Sequence, residues 1–213
     1  MSITNVLKII SYYILNIYDA IYDIIYCGTM LNKRIKNENI NNCTNSESCR
    51  YLIVKKIFST INLLEGGTFL DVGCGQGRIL GYLYKNYPCL YITGIEINKE
   101  SYLICKKWVR KKNIRLFLGD VFSLDLSEYS IFFLGHPFYR EQFCLFIAQI
   151  EKQVKHNSLL ICVVDSHYKN ILDNNDKWEM IRREEISRYK GGFLLNNTNY
   201  FSVWNYSPNK INI

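Results

Sequence analysis

The protein has 213 residues, of which 48% are hydrophobic and 21% charged, and these proportions are typical of a folded globular chain. The length suits one domain with a substantial core. The formal net charge of +7 favours anionic partners, but the basic residues cluster only at 33–36, 106–112 and 182–190, as they do on solvated surfaces. The composition therefore excludes a disordered chain, and it carries no strong nucleic-acid signature.

The cysteines predict reduced thiols rather than a disulfide framework or a metal site. Several of the eight fall in predicted strands or helices, where free thiols behave as small hydrophobic groups. The sequence has no C-x-x-C pair, its closest spacing is Cys43 to Cys49, and its three histidines are scattered, so a zinc site would lack paired ligands. Reduced thiols indicate a cytoplasmic protein.

Residues 1–26 are predicted to form an amphipathic helix. Lys8, Asp19 and Asp23 interrupt its apolar run, which disfavours a transmembrane helix, and the small-residue cleavage site of a signal peptide is missing. We expect the helix to pack on the main sheet; a cap over the substrate and a peripheral membrane contact are the alternatives. Two stripes recur at helical spacing: Leu7, Ile10, Ile14, Ile17, Ile21 and Ile24, and then Tyr18, Tyr22 and Tyr26.

A polar segment follows this helix. Asn, Lys, Glu, Ser and Thr dominate between residues 32 and 48, which predicts a loop, with a lid over a ligand as the alternative. From residue 47 a helical pattern resumes and leads through Gly66 and Gly67 into the first strand. The chain therefore divides into an N-terminal helix and loop, residues 1–49, and a main domain, residues 50–213.

A buried strand, a glycine turn and a helix come next. Residues 68–72 are a short apolar run with an acid, Asp71, near its end. Gly73, Gly75 and Gly77 then recur at every second position, where the chain can turn sharply and approach a ligand without a Cβ in the way. The following helix directs its free N–H groups at whatever lies over the loop. The spacing differs from the G-x-G-x-x-G of dinucleotide-binding proteins.

The loop resembles the first motif of the class I, Rossmann-like S-adenosylmethionine-dependent methyltransferases, whose first strand ends in an acid followed by G-x-G-x-G. A second apolar run, residues 90–95, ends in Glu96, where that family has the acid of its second strand. The resemblance covers about residues 50–206. It implies a doubly wound α/β fold with a seven-stranded, mostly parallel sheet, here with an N-terminal helical extension. It also implies S-adenosyl-L-methionine as cofactor and methyl transfer as activity. An ordinary doubly wound fold with a structural glycine turn is the alternative.

The resemblance further implies a set of cofactor-binding residues. Asp71 and the glycine loop would hold the amino-acid end of the cofactor, and Glu96 would accept hydrogen bonds from both ribose hydroxyls. Asp120, after a third strand at 113–118, would contact the adenine amino group, with an ordinary Gly-Asp turn as the alternative. The full predicted set is Asp71, Gly73, Cys74, Gly75, Gly77, Glu96, Ile97, Asp120, Val121 and Gly135.

The run Gly-His-Pro-Phe-Tyr, residues 135–139, follows a fourth strand at the sheet edge where ligands bind. Family members that methylate amino nitrogens carry Asp/Asn-Pro-Pro-Tyr/Phe there, and a small uncharacterised group carries Asn-Pro-Phe, which this His-Pro-Phe resembles more. His136 and Tyr139 are the candidate catalytic residues, His136 because a neutral imidazole takes up a proton near neutral pH. A structural turn is the alternative for His136.

A fifth strand, residues 158–164, places Asp165 and His167 at the same edge, where we expect them to be bystanders. Residues 178–187 and 200–206 are predicted as a closing antiparallel pair, as in the family.

The acceptor is not identified by these patterns. The altered motif after the fourth strand disfavours methylation of base nitrogens, so a small molecule or a sugar hydroxyl is favoured. A non-catalytic cofactor-binding or scaffold protein, and a protein or nucleic-acid methyltransferase, are the alternatives. A nicotinamide-dependent oxidoreductase would need the third glycine one residue later. The oligomeric state is left open.

Overall fold

The computed structural model describes residues 3–31, 35, 48–63, 65–110, 112–165, 168–186 and 199–209. Most of the predicted polar loop with its lid alternative, the candidate His167 and the turn between the last two strands lie outside these residues. Within the described chain, no helix is both long enough and apolar enough to cross a membrane. The cytoplasmic location and the boundary at residue 49 stay predictions.

A seven-stranded sheet forms the centre of the protein, with the strand order β3-β2-β1-β4-β5-β7-β6. The strands β1 to β5 run parallel, and β7 lies antiparallel between β5 and β6. This confirms the predicted doubly wound sheet and its closing antiparallel pair. The strands are β1 (Thr68–Val72), β2 (Tyr91–Glu96), β3 (Ile114–Leu118), β4 (Ile131–Leu134), β5 (Ser158–Val163), β6 (Trp178–Glu185) and β7 (Tyr200–Tyr206).

Helices cover both faces of the sheet, and two hydrophobic clusters fill the space between the layers. The central strands β1 and β4 are mostly apolar because both of their faces are buried, and Asp71 near the end of β1 is the acidic exception. Strand order reverses between β1 and β4, so their carboxyl ends frame the crevice where ligands bind in such sheets. The helices are α1 (Ile3–Cys27), α2 (Tyr51–Phe58), α3 (Arg78–Asn86), α4 (Lys99–Val109), α5 (Arg140–Gln153) and α6 (Lys169–Asp173).

The predicted N-terminal helix is present, but it packs against α3 rather than directly on the sheet. Its tyrosine stripe faces the domain: Tyr18, Tyr22 and Tyr26 contact the core, and the Tyr26 ring lies 5.3 Å from that of Tyr51. The isoleucine stripe faces outward and is exposed. The expectation that the helix packs on the sheet is therefore corrected: α1 joins the helical layer, and its longest apolar face is left outside.

Candidate functional site

The glycine loop takes a backbone conformation that side chains other than glycine rarely adopt. Gly73, Gly75 and Gly77 have φ values of 69°, 57° and 92°. The amides of Gly73 and Cys74 both donate to the carbonyl oxygen of Ile95 at 3.0 Å. The loop is thereby fastened to the neighbouring strand β2, and it opens onto a cleft at the carboxyl ends of the strands.

This cleft opens to solvent and has a cavity volume of about 100 Å³. It brings together nine of the ten predicted cofactor residues, from four different strand ends: Asp71, Gly73, Cys74, Gly75, Glu96, Ile97, Asp120, Val121 and Gly135. It also includes Phe138 of the His-Pro-Phe run, and residues that the sequence did not assign to the site, among them Ser48, Cys49, Arg78 and Phe133.

Asp71 lines the cleft and has an unsatisfied carboxyl oxygen. Its side chain is buried, and within the described chain its Oδ2 has no hydrogen-bond partner. Burial raises the pKa of this carboxyl well above its usual range, and the charge of Glu96 raises the pKa further. A buried acceptor without a donor costs free energy, which a ligand carrying an ammonium or hydroxyl group would recover. The site therefore fits the cationic amino-acid end of S-adenosylmethionine.

Glu96 ties the glycine loop to the end of β2. Its Oε2 accepts a hydrogen bond from the Gly75 amide at 2.6 Å, and its Oε1 accepts one from the Asn98 amide at 2.7 Å. Burial raises the pKa of this carboxyl, while these backbone amides oppose that rise. Each carboxylate oxygen can accept a second hydrogen bond. Glu96 can thus hold the loop in place and still accept from a pair of ligand hydroxyls.

Asp120 lies at the rim of the cleft. It also forms the Gly-Asp turn, which was the alternative interpretation of this residue from the sequence. Its Oδ1 accepts a hydrogen bond from the Phe122 amide at 3.1 Å and so caps the short helical turn at 121–123. The neighbouring Val121 is buried and forms part of the cleft wall. The turn orients Asp120, and its role toward adenine stays a prediction.

The loop after β4 forms the opposite wall of the cleft. His136 has a φ of 71°, a left-handed conformation that is uncommon for a residue with a Cβ, and such backbone strain is often found at functional sites. Its ring lies 5.8 Å from the ring of Tyr168, whose hydroxyl donates to the Phe138 carbonyl at 2.7 Å. A Cβ at Gly73 would lie 3.0 Å from Pro137 Cβ, so the glycine allows the two loops to meet.

The other candidates from this edge are placed away from the cleft. Tyr139 is exposed at the start of α5 and is not among the described residues that line the cleft, so its catalytic role stays a prediction without a contact to support it. Asp165 is buried and accepts from Nε of Arg183 at 2.7 Å and from its Nη2 at 3.2 Å. This pairing is what we expect of a structural bystander.

Gly77 is the one predicted cofactor residue outside the cleft lining. A Cβ at this position would lie 2.5 Å from Sγ of Cys105 and 2.6 Å from the ring of Trp108. The Trp108 indole in turn donates to the Gln76 carbonyl at 3.0 Å. Gly77 therefore lets the glycine loop pack against α4, on the side away from the cleft.

Sequence reasoning missed Arg78, the first residue of α3. Its guanidinium is almost fully buried and donates to both carboxyl oxygens of Asp23 on α1, from Nε at 2.9 Å and from Nη2 at 2.8 Å. Its Nη1 donates to the Cys49 carbonyl at 3.1 Å and lies 3.8 Å from Oδ2 of Asp19. Burial disfavours the charged guanidinium, but the hydrogen bonds and charge of Asp23 and the charge of Asp19 leave its pKa raised.

The acids of α1 therefore attach the N-terminal helix to the cleft. Asp19 also accepts from Nη1 of Arg50 at 2.9 Å and from the Tyr51 amide at 3.0 Å, which fixes the chain just before α2. The signal in the sequence was the spacing of Asp19 and Asp23, two acids four residues apart on one helix face. The sequence pattern alone indicates them only as interruptions of an apolar run.

Comparisons with known proteins agree with this geometry. Residues 69–156 match a family model described as a methyltransferase domain. A probable (S)-tetrahydroprotoberberine N-methyltransferase 2 of Papaver bracteatum is 29% identical over 124 residues, which cover 53% of this chain and 34% of that protein. An RNA methyltransferase of Salinibacter ruber in complex with S-adenosyl-L-homocysteine superposes with a TM-score of 0.59 at 16% identity, over 78% of this chain and 96% of that one.

A coclaurine N-methyltransferase bound to N-methylheliamine and S-adenosylhomocysteine has a TM-score of 0.56 at 12% identity, over 96% of this chain and 89% of that one. The chain spans about a third of the length of the curated relatives that it matches. The comparisons confirm the class I fold, residues 69–156 resemble a methyltransferase domain, and the comparisons support S-adenosylmethionine as the cofactor. The narrower His-Pro-Phe group stays a prediction.

Proposed function

We propose that the protein is an S-adenosylmethionine-dependent methyltransferase that acts on a small-molecule acceptor. The observation that carries this proposal is the unsatisfied Oδ2 of Asp71 in the cleft, beside a glycine loop and a second buried acid, Glu96. This arrangement suits a ligand with a cationic end and neighbouring hydroxyls. The methyltransferase domain match at residues 69–156 supports the same ligand class.

In this proposal the cofactor supplies an activated methyl group on a sulfonium centre, and the protein aligns it with the acceptor. Asp71 and the glycine loop hold the amino-acid end, Glu96 holds the ribose, and Asp120 lies at the adenine end. The buried walls formed by Phe133 and Phe138 exclude water from the line of transfer. Alignment and exclusion of water supply most of the rate acceleration for an in-line displacement of this kind.

The charges of the cleft favour a neutral or cationic acceptor over a polyanion. Among the described residues that line it, the acids Asp71, Glu96 and Asp120 outnumber a single cation, Arg78, which is already paired with Asp23. Nucleic-acid sites use unpaired Lys and Arg to meet phosphates. A small molecule fits this lining better. The relative from Papaver bracteatum is named as a methyltransferase of such a molecule.

His136 is proposed to receive the proton that a hydroxyl acceptor must lose, or to orient the acceptor where no proton is lost. Its position at the end of β4, in the cleft wall, and its left-handed backbone support a direct role. Substitution by alanine should lower turnover with little effect on cofactor affinity. His156→Ala is a matched control, because His156 contacts the Tyr129 carbonyl near the start of β5, at the other end of the sheet.

The deciding experiment is calorimetric titration with S-adenosylhomocysteine, with NADH titrated in parallel. Micromolar binding of S-adenosylhomocysteine alone supports the proposal, and binding of neither ligand contradicts it. A panel of amines, phenols, sugars, peptides and oligonucleotides, assayed by S-adenosylhomocysteine release, then tests the acceptor class. Tight binding without turnover on any acceptor would favour the non-catalytic, cofactor-binding alternative.

A further inference from the structure

The outward face of α1 carries an apolar seam, which we define as Ile10, Ile14, Ile17, Ile21 and Ile24. Each of these side chains exposes between 48% and 61% of its surface. The residues that flank the seam on the same side are also apolar or aromatic and exposed: Val6, Ile9, Tyr13 and Ile25. A monomeric protein rarely leaves so long a continuous apolar surface in water, so the face is expected to have a partner.

The spacing of the seam indicates what kind of partner it has. Successive isoleucines are separated by four, three, four and three residues, and the sequence continues this alternation back to Leu7 and Ile3. A repeat of 3.5 residues fills the a and d positions of a heptad over three heptads. Such a strict repeat keeps one seam facing another helix along its length, whereas an isolated surface helix follows a 3.6-residue period.

The helix cannot turn this seam toward its own domain. Asp19 and Asp23 on the opposite side are paired with Arg50 and Arg78, and the tyrosine stripe packs on the core. These contacts fix α1 about its axis. The seam is therefore available only to a partner from outside the domain.

Charge favours a second copy of the chain over a lipid surface. The helix contains only three charged residues, Lys8, Asp19 and Asp23, and both acids are turned inward. Helices that lie in a membrane interface are rich in Lys and Arg on their polar face, and α1 has a single lysine. Because the seam carries no charge, two copies can bring their seams together without opposing like charges at the contact, although each chain has a net charge of +7.

We propose that α1 is a self-association helix, whose seam packs against the same seam of a second copy as a coiled coil. The contact uses the same surface on both copies, as closed symmetric oligomers do. Isoleucine at both a and d positions also permits three or four helices, and the mass of the assembly decides that number. The proposal does not depend on the methyltransferase function.

The test is sedimentation velocity of the full chain under reducing conditions, from low micromolar to high micromolar concentration. The variant Ile14→Glu with Ile21→Glu places a charge twice in the seam. The control is Leu103→Glu with Leu145→Glu, which charges two exposed leucines on α4 and α5. We expect the wild type and the control to associate, and the seam variant to associate about a hundredfold more weakly, because each glutamate would be buried without a partner. Circular dichroism verifies that all three are folded.

Three results would overturn the proposal. One is a wild type that stays monomeric at every concentration, and another is an oligomer that survives the seam variant. The third is an equal loss of association in the seam variant and the control. Co-sedimentation with vesicles of phosphatidylglycerol and phosphatidylcholine distinguishes self-association from a membrane contact. If the protein is monomeric and pellets with the vesicles only when the seam is intact, the seam is a membrane contact instead.

Discussion

Replacing Asp23 by alanine should destabilise the protein by about 3–5 kcal/mol, the usual cost of removing one partner from a buried ion pair. The Asp23 side chain is fully buried, and it accepts two hydrogen bonds from Arg78 and one, at 3.0 Å, from the Leu31 amide. Asp19 compensates only in part, because its Oδ2 lies 3.8 Å from Arg78 Nη1 and already accepts from Arg50. The variant therefore leaves a buried guanidinium with a weak remaining partner.

Urea denaturation measures this loss as a free energy of unfolding, and thermal denaturation should show a fall in Tm of about 6–20 °C for a chain of this size. The matched control is Glu128→Ala, which removes the partner of Arg115 in an ion pair that is about half exposed on both sides. Exposed pairs of this kind contribute about 1 kcal/mol or less. Because Arg78 and Cys49 line the cleft, Asp23→Ala should also weaken S-adenosylhomocysteine binding, and the control should not.

A double-mutant cycle decides whether the loss comes from the ion pair itself. The combination of Asp23→Ala with Arg78→Met removes both charges of the pair, so its loss should be well below the sum of the two single losses. Additive losses would refute the reasoning. A loss below about 1 kcal/mol for Asp23→Ala alone would do the same, since it would mean that Arg78 is not a buried, dependent charge.

Three further predictions concern the glycine loop and its acids. Glu96→Ala should weaken S-adenosylhomocysteine binding at least tenfold in calorimetry, given about 1.5–3 kcal/mol for charged hydrogen bonds, and unchanged affinity would remove Glu96 from the site. Burial raises the pKa of Asp71, and the ligand ammonium requires its deprotonated form. Affinity should therefore rise about tenfold per pH unit below that pKa and level off above it, and Asp71→Asn should abolish the slope. Gly77→Ala should lower Tm more than Gly66→Ala, because both have positive φ but only the first Cβ meets the Trp108 ring.

The sheet and the cofactor cleft could be predicted from the sequence because each depends on residues that are close together in the chain. Continuous apolar runs predict strands buried on both faces, and glycines at alternate positions predict a loop with positive φ. Acids at strand ends then converge, since the carboxyl ends of parallel strands meet at one edge. Nine of the ten predicted cofactor residues line the cleft for this reason. Gly77 does not, because a glycine can be required by a neighbouring helix as well as by a ligand.

The contacts of α1 could not be predicted from the sequence because they depend on residues that are far away in the chain. Asp23 pairs with a residue 55 positions later, and Asp19 with one 31 positions later. Helical periodicity identifies the two stripes but does not indicate which one faces the domain. The larger apolar stripe is normally expected inside, and here it is outside.

The ion pairs explain this reversal. Turning α1 about its axis would exchange the tyrosine stripe for the isoleucine seam, so apolar burial lost on one side would be regained on the other. The charges would not be exchanged in this way, because Arg78 would stay buried without a carboxylate, at a cost of several kcal/mol. The charged contacts therefore decide the orientation of the helix. The seam therefore stays exposed in the single chain. In the proposed association, burial of the seam against a second copy contributes about 1.5–3 kcal/mol for each fully covered isoleucine.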